Sequence, residues 1–230
     1  MLVIAIEGVS GIGKTTLLIQ KSAKFRVLFK NISNIDIGSY KVIKLSKIYG
    51  KETIRVLKGS NEDRAIKFLK LFQERIDQVA DILTYYNFQY SQNKAIIFDR
   101  IGLQSLYLAL LYAGWIHDRH YAVRRIKKIY NECFNRSICD DIRKLFGYMD
   151  YLFILSYAEG KEKLKQRLMQ NENFMLKHKD IRWDFFDELY DMYVNTRYIL
   201  TQYFELTPMN GNKIYIISVS HDYDSYGLVV

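Results

Sequence analysis

The apolar residues of this 230-residue chain follow two kinds of pattern. Short, mostly apolar runs predict buried strands, because a parallel sheet is covered on both faces. Longer segments with apolar residues three and four positions apart predict amphipathic helices. The predicted strands are Leu2–Glu7, Tyr40–Ile48, Ala95–Asp99, Tyr151–Ser156 and Lys213–Val219. The predicted helices are Lys14–Phe29, Glu62–Tyr90, Leu103–Trp115, His120–Cys133, Lys161–Gln170 and Asp184–Phe204.

The order of these elements indicates the fold class. Strands that alternate with helices are typical of an α/β protein, so we predict a five-stranded parallel sheet flanked by helices in three layers. Pro208 is the only proline, and no Pro- or Ser-rich linker interrupts the chain. We therefore expect residues 1–230 to form a single domain.

Composition narrows the classes of function. The 34 Lys and Arg against 25 Asp and Glu give a net charge of +9, which favours anionic ligands. The basic residues are spread over the helices, so a polyphosphate ligand satisfies them and nucleic acid is not required. No apolar run approaches the length of a membrane span, and two cysteines with no secretory leader favour a cytoplasmic protein without a membrane partner.

The sharpest motif lies between the first predicted strand and the first predicted helix. It reads Gly8-Val9-Ser10-Gly11-Ile12-Gly13-Lys14-Thr15, which fits the P-loop pattern G-x-x-x-x-G-K-[ST]. Its glycines let successive backbone N–H groups face a phosphate, and the helix N-terminus adds positive potential. We predict that this loop binds the triphosphate of ATP, with Lys14 on the β- and γ-phosphates and Thr15 on Mg²⁺.

A second motif, Asp99-Arg100, ends the third predicted strand. The carboxyl edge of a parallel sheet faces the ligand crevice, so Asp99 is a candidate for the magnesium shell. Arg100 is a candidate ligand of an acceptor phosphate, because a guanidinium holds a phosphate with two parallel hydrogen bonds. The structural alternative makes Asp99 a helix cap and Arg100 its surface partner.

Several segments, in order, resemble the thymidylate kinase family of P-loop nucleoside monophosphate kinases. EGVSGIGKTTL resembles the family's EG-x-D-G-x-GK-[ST]-T, and KIYGKETIRVLKG is similar to its R-E-P-G segment and following basic helix. LFQERIDQV resembles its F-x-x-x-R helix, IIFDR its D-R-Y, and FFDELYDMY its F-F-x-x-V-x-x-x-Y helix. The resemblance implies transfer of the ATP γ-phosphoryl group to dTMP, giving dTDP. It also implies a homodimer paired through helices, for which Leu103–Trp115 is the candidate.

The resemblance assigns roles to further residues. It places Lys47 and Arg100 on the acceptor phosphate, Phe72 and Arg75 on the base, and Tyr107 beside the sugar. An aromatic face stacks on a pyrimidine and an arginine donates to its carbonyl oxygen. In the alternative interpretation Phe72 belongs to the core and Arg75 to the solvated surface of an amphipathic helix.

The basic segment 159–180 is interpreted as a mobile lid. Arg167 occupies a position similar to the lid arginine of the family and would neutralise charge in the transition state, with Lys163 one helical turn before it. The alternative is a solvated basic helix face. The basic residues of this segment are Lys161, Lys163, Lys165, Arg167, Lys177 and Lys179.

The chain also departs from the family's pattern. Ser10 replaces the loop Asp, Ile48 the Glu of R-E-P-G, and Ile101 the Tyr of D-R-Y, while Glu7 remains a candidate for ordering water around the metal. A phosphate acceptor is already anionic, so its phosphorylation does not require a strong base. Three alternatives stay open: a deoxynucleoside kinase, a P-loop protein that binds nucleotide without catalysis, and a nucleic-acid binder.

Overall fold

The strands build one mixed sheet with a parallel core. The computed structural model of the chain describes residues 1–45, 59–89, 95–177, 182–206, 213–220 and 226–229. Within these ranges the sheet order is β2-β3-β1-β4-β5-β6, in which the first five strands are parallel and β6 is antiparallel to β5. The strands are β1 (Leu2–Glu7), β2 (Tyr40–Lys44), β3 (Ala95–Asp99), β4 (Tyr151–Tyr157), β5 (Lys213–Val219) and β6 (Tyr226–Val229).

The predicted α/β class, with five parallel strands flanked by helices, is confirmed. The short edge strand β6 was not predicted. The central strands β1, β3 and β4 are buried along almost their whole length, which is why each reads as a continuous apolar run. β2 ends at Lys44, and positions 46–48 of the predicted strand lie outside the described residues.

The register brings polar residues together at one edge of the sheet. Asp99 pairs in register with Ile6 of β1 on one side and with Lys44 of β2 on the other. Glu7, the last residue of β1, lies opposite Ile154 of β4. β2 and β3 lie on one side of β1 and β4 and β5 on the other, so the loop after β1 begins where the strand order reverses, the usual position of a ligand crevice.

Helices flank the sheet. None of the helices that the structure describes is both long and apolar enough to cross a membrane. A five-residue π-helical turn, Thr16–Gln20, follows the glycine-rich loop and precedes α1. The α-helices are α1 (Ser22–Ser33), α2 (Asn61–Gln89), α3 (Leu103–Tyr112), α4 (Arg119–Phe134), α5 (Ile138–Gly147), α6 (Lys161–Gln170), α7 (Glu172–Lys177), α8 (Trp183–Val194) and α9 (Thr196–Phe204).

The helices differ from the sequence-based prediction in four places, one of which is the short helix α7, which was not predicted. The first predicted helix is interrupted at Lys21, whose N–H donates to the Thr16 carbonyl at 2.9 Å in the i→i+5 pattern of a π-turn. The last predicted helix is divided at Asn195 into α8 and α9. Helix α5 was not predicted; Ser137 caps it by accepting from the Asp140 N–H, and its buried face packs on the core.

Ion pairs connect α6 to α8. Lys161 pairs with Asp191, and Lys165 Nζ lies 2.7 Å from Asp187 Oδ2. On the sheet side of α8, the Tyr190 hydroxyl accepts the Tyr157 backbone N–H at 2.9 Å. Helix α8 is therefore held both to α6 and to the carboxyl end of β4.

A buried hydrogen bond between α4 and α5 provides a test of the packing. The Tyr130 hydroxyl donates to Asp141 Oδ2 at 2.6 Å, and Asp141 is only 5% exposed. Tyr130→Phe leaves that carboxylate oxygen without this donor, so we expect a loss of about 1–3 kcal/mol in the free energy of unfolding, measured with urea. Tyr121→Phe, on the exposed face of the same helix, is the control and should change stability by less than about 0.5 kcal/mol. Equal stabilities for the two variants would contradict this account.

Candidate functional site

The loop after β1 is shaped by glycines and anchored by two apolar side chains. Gly11 and Gly13 have φ angles of +83° and +97°, in the left-handed region that favours glycine. Val9 and Ile12 are buried and attach the loop to the core. The segment between β1 and the first helix thus has the strand–loop–helix context that a phosphate-binding loop requires.

Lys14 lies inside its own loop. Its Nζ donates to the carbonyl oxygens of Gly8 at 2.6 Å and Val9 at 2.9 Å, and the residue is 6% exposed. Burial, and next the charge of Arg100, lower the pKa of Lys14 well below its ordinary value, while Glu7 and Asp99 act in the opposite direction. An anion bound in the loop would relieve this penalty, because it would supply the missing countercharge.

Thr15 and Asp99 form the predicted metal-binding pair. The Thr15 hydroxyl donates to Asp99 Oδ2 at 3.2 Å, so two oxygen ligands face each other at the mouth of the loop. Hard oxygen ligands are the type that Mg²⁺ prefers, and the pair fits that ion. Within the part of the chain that the structure describes, no group of three or more His, Cys, Asp and Glu side chains could hold a metal ion.

Glu7 is fully buried and binds four donors. Its Oε1 accepts the backbone N–H groups of Ile101 at 2.7 Å, Gly102 at 3.2 Å and Leu103 at 3.3 Å. Its Oε2 accepts the Tyr193 hydroxyl at 3.0 Å. The carboxylate thus caps the N-terminus of α3, where negative charge is favoured. The prediction that Glu7 orders water around the metal is wrong, because the side chain is buried in this hydrogen-bond network.

Two arginines lie in this region, and one of them contacts the loop. Arg100 Nη2 donates to Ser10 Oγ at 3.1 Å, and the Arg100 backbone has a φ of +74°, which is uncommon for a residue other than glycine. Arg75 packs against Gly102, where an added Cβ would lie 3.0 Å from the Arg75 Cβ. Burial foremost, then the charge of Arg100, lowers the pKa of Arg75, against the influence of Glu74 and Glu7. The Arg75 guanidinium donates to Gln78 Oε1 at 3.1 Å on its own helix, so of these two arginines it is Arg100 that contacts the glycine-rich loop.

The structure corrects two of the predicted substrate contacts. Phe72 is completely buried, which agrees with the alternative interpretation of this residue as core and removes it from base stacking. Tyr107 is also completely buried; its hydroxyl donates to Thr196 Oγ1 at 2.9 Å and its ring lies edge-on to Tyr193. Neither side chain offers an exposed surface to a nucleotide, because both fill the space between helices.

The described part of the lid segment is packed against the loop. A Cβ added at Gly11 would lie 2.4 Å from Leu168 Cδ2 and 3.2 Å from Phe174 Cε2, so α6 and α7 cover this part of the loop. The Arg167 guanidinium carbon lies 6.0 Å from the Tyr157 ring centroid. Its buried Nη1 has no hydrogen-bond partner among the described residues. The lid arginine is therefore next to the carboxyl end of β4.

The lysines of the lid have different environments. Lys161 and Lys165 pair with carboxylates of α8, so these two are not solvated free charges, whereas Lys163 is exposed. Lys177 ends α7, and Lys179 lies outside the described residues.

One basic residue of the site, Lys44, was not predicted from the sequence. Lys44 Nζ lies 3.5 Å from Thr15 Oγ1, at the end of β2. The predicted strand continues to Ile48, which places Lys44 inside the strand. In the structure the strand ends at Lys44, so this lysine lies at the edge of the sheet. The predicted phosphate ligand Lys47 lies outside the described residues.

No protein-family profile and no curated protein matches the chain. The thymidylate kinase resemblance therefore rests on the motifs quoted from the sequence.

A matched pair of glycine variants tests the packing of the lid on the loop. Gly11 and Gly160 have similar positive φ angles, +83° and +85°, but nothing lies within 4 Å of a Cβ added at Gly160. Both alanine variants should lose about 1–3 kcal/mol of stability from backbone strain, since Gly160, at φ +85° and ψ +168°, also has a conformation almost restricted to glycine. Gly11→Ala should lose about 1–3 kcal/mol more, because its methyl group overlaps Leu168. Equal losses in urea unfolding would mean that α6 does not cover the loop.

Proposed function

We propose that the protein is a nucleoside monophosphate kinase that transfers the γ-phosphoryl group of MgATP to dTMP. The proposal rests on one observation, namely that two candidate anion sites, the glycine-rich loop and the Arg100 guanidinium, lie side by side. The Arg100 guanidinium contacts the glycine-rich loop at Ser10, at 3.1 Å, and Arg75 packs against Gly102, two residues after Arg100. One phosphate group in the loop and a second against Arg100 would supply countercharges for Lys14 and Arg100.

The donor side follows from the loop. ATP phosphates would replace the carbonyl oxygens of Gly8 and Val9 as the partners of Lys14. Mg²⁺ held by Thr15 and Asp99 supplies positive charge that stabilises negative charge on the transferring phosphoryl group.

The side chains of the site are more consistent with a phosphate group as the phosphoryl acceptor than with a hydroxyl group. A nucleoside hydroxyl must lose a proton during phosphorylation, and a positioned base accelerates that step. Glu7 is a poor candidate, since four donors bind its oxygens, and Asp99 is bound to Thr15. A nucleoside monophosphate needs no base, because its phosphate oxygen is already anionic.

The transfer then needs positioning and charge neutralisation. An acceptor phosphate oxygen, held by Arg100, forms a bond to the γ-phosphorus as the bond to the bridging oxygen of ADP breaks. Lys14 neutralises charge on the transferring group, and Arg167 of the lid adds a further positive charge when it turns from Tyr157. The products are ADP and dTDP, and no proton transfer is required.

The choice of dTMP derives from the family resemblance and from Arg75, which can donate to a pyrimidine carbonyl oxygen. Phe72 does not provide a stacking surface for the base, because its side chain is completely buried.

A coupled ADP-release assay tests the proposed function. The acceptors are dTMP, dUMP, other nucleoside monophosphates and free nucleosides, with Lys14→Ala as the inactive control. We expect turnover with dTMP and a loss in kcat of about 100-fold or more for Lys14→Ala, because a positive charge at the transferring group is removed. Turnover of free nucleosides alone would assign the protein to the deoxynucleoside kinases. Tight ATP binding with no acceptor, at a wild-type rate no faster than that of Lys14→Ala, would indicate a non-catalytic protein.

Arg100→Met tests the acceptor site separately. Removing the guanidinium should raise the KM for the monophosphate by about 10- to 100-fold, the size of a lost charged hydrogen bond, with a smaller effect on the KM for ATP. Arg143→Met, which removes a surface guanidinium from α5, should leave both constants near wild type. A larger change in the KM for ATP than in the KM for the acceptor would contradict the assignment of Arg100.

A further inference from the structure

We infer that the hydroxyl group of Tyr193 positions Arg100, acting through Glu7, and that it thereby sets the affinity for the acceptor phosphate. This inference rests on the proposed function and adds a positioning residue that does not contact substrate.

The two oxygens of Glu7 have different partners. Oε1 accepts three successive backbone N–H groups, those of residues 101–103, which immediately follow Arg100. Among the described residues, Oε2 accepts a hydrogen bond from the Tyr193 hydroxyl, and both side chains are almost completely buried. The Tyr193 hydroxyl, together with the three amides, therefore fixes the orientation of the carboxylate.

Arg100 depends on this arrangement because of its backbone conformation. A φ of +74° in a residue with a Cβ is unfavourable and persists only where surrounding contacts impose it. On one side, the Arg100 N–H donates to the Ile6 carbonyl at 3.0 Å. On the other side, Glu7 holds the next three amides. The direction in which the guanidinium leaves the backbone, toward Ser10, follows from these two constraints.

Removing the hydroxyl would change this geometry. In Tyr193→Phe, Oε2 stays buried without its donor, and an unpaired buried carboxylate oxygen is costly. Rotation of the carboxylate would relieve that cost by moving Oε2 toward the amides of residues 101–103. The backbone after Arg100 would then lose its fixed position, and the guanidinium would lose its alignment.

Tyr193 also belongs to the helix that holds the lid. Helix α8 carries Asp187 and Asp191, which pair with Lys165 and Lys161 of α6. The same helix thus contacts α6 through these two carboxylates and Glu7 through Tyr193.

The chain provides a matched control on the same helix. The Tyr190 hydroxyl also makes a buried hydrogen bond, but to the backbone N–H of Tyr157 and not to Glu7. Tyr190→Phe therefore removes one buried hydroxyl from α8 and leaves the carboxylate untouched.

The experiment compares Tyr193→Phe with Tyr190→Phe in acceptor binding and steady-state kinetics. We expect the two variants to have similar thermal stabilities and an ATP affinity within about 2-fold of wild type. Only Tyr193→Phe should raise the Kd and KM for dTMP, by about 10-fold, because that variant loses one buried hydrogen bond to Glu7. Calorimetric titration with dTMP gives the Kd independently of turnover. The same acceptor affinity in both variants would overturn the inference.

A double-mutant cycle tests whether Tyr193 acts through Arg100. In the Arg100→Met background, Tyr193→Phe should have almost no further effect on the affinity for dTMP, since the group that it aligns is gone. Additive losses would show that Tyr193 acts by another route and would overturn the inference.

Variants of Glu7 keep the test decisive if Tyr193→Phe does not fold. Glu7→Gln retains one oxygen for the three amides and an amide group that can pair with the Tyr193 hydroxyl, so it should bind dTMP more tightly than Glu7→Ala. Equal affinities for these two variants would contradict the positioning role. A wild-type protein that neither binds nor phosphorylates any nucleoside monophosphate would instead disprove the proposed function.

Discussion

The buried carboxylate of Glu7 is the interaction on which the site depends. It lies at the end of the central strand β1. It accepts hydrogen bonds from three backbone N–H groups at the start of α3 and from the hydroxyl of Tyr193 on α8. A buried charge is tolerated only when its hydrogen bonds are satisfied, and here backbone donors and one tyrosine satisfy it.

The same carboxylate supports the basic groups of the site. Its charge raises the pKa values of Lys14 and Arg75 against the larger effect of burial, which lowers both. For Lys14, burial and the charge of Arg100 outweigh Glu7 and Asp99, and they lower its pKa. The negative charge at the site is therefore too small to balance its cations. A phosphate group bound between these cations would reduce their repulsion.

The sequence predicted the parts of the fold that follow from periodicity and local chemistry. The five parallel strands were identified because buried strands such as Ala95–Asp99 are continuous apolar runs. The juxtaposition of Thr15 and Asp99 was predicted because parallel strands end at one edge. The alternative for Phe72 as a core residue was available from the amphipathic pattern of α2, and the structure agrees with it.

The rest depended on tertiary contacts that a linear pattern does not contain. Nothing near Tyr107 in the sequence indicates that Thr196, far along the chain, would bind its hydroxyl in the core. Glu7 likewise has its partners about ninety residues or more away, so its role as a helix cap was not visible. Lys44 was missed because the boundary of a strand is less certain than its existence.

The most direct measurement of the central claim is a crystal structure of the protein with dTMP, Mg²⁺ and a non-hydrolysable ATP analogue. The account predicts the triphosphate inside the loop of residues 8–15, with Lys14 turned away from its own carbonyl oxygens and the monophosphate in hydrogen-bond contact with Arg100. Arg100 directed into solvent, with no anion facing Lys14, would contradict it.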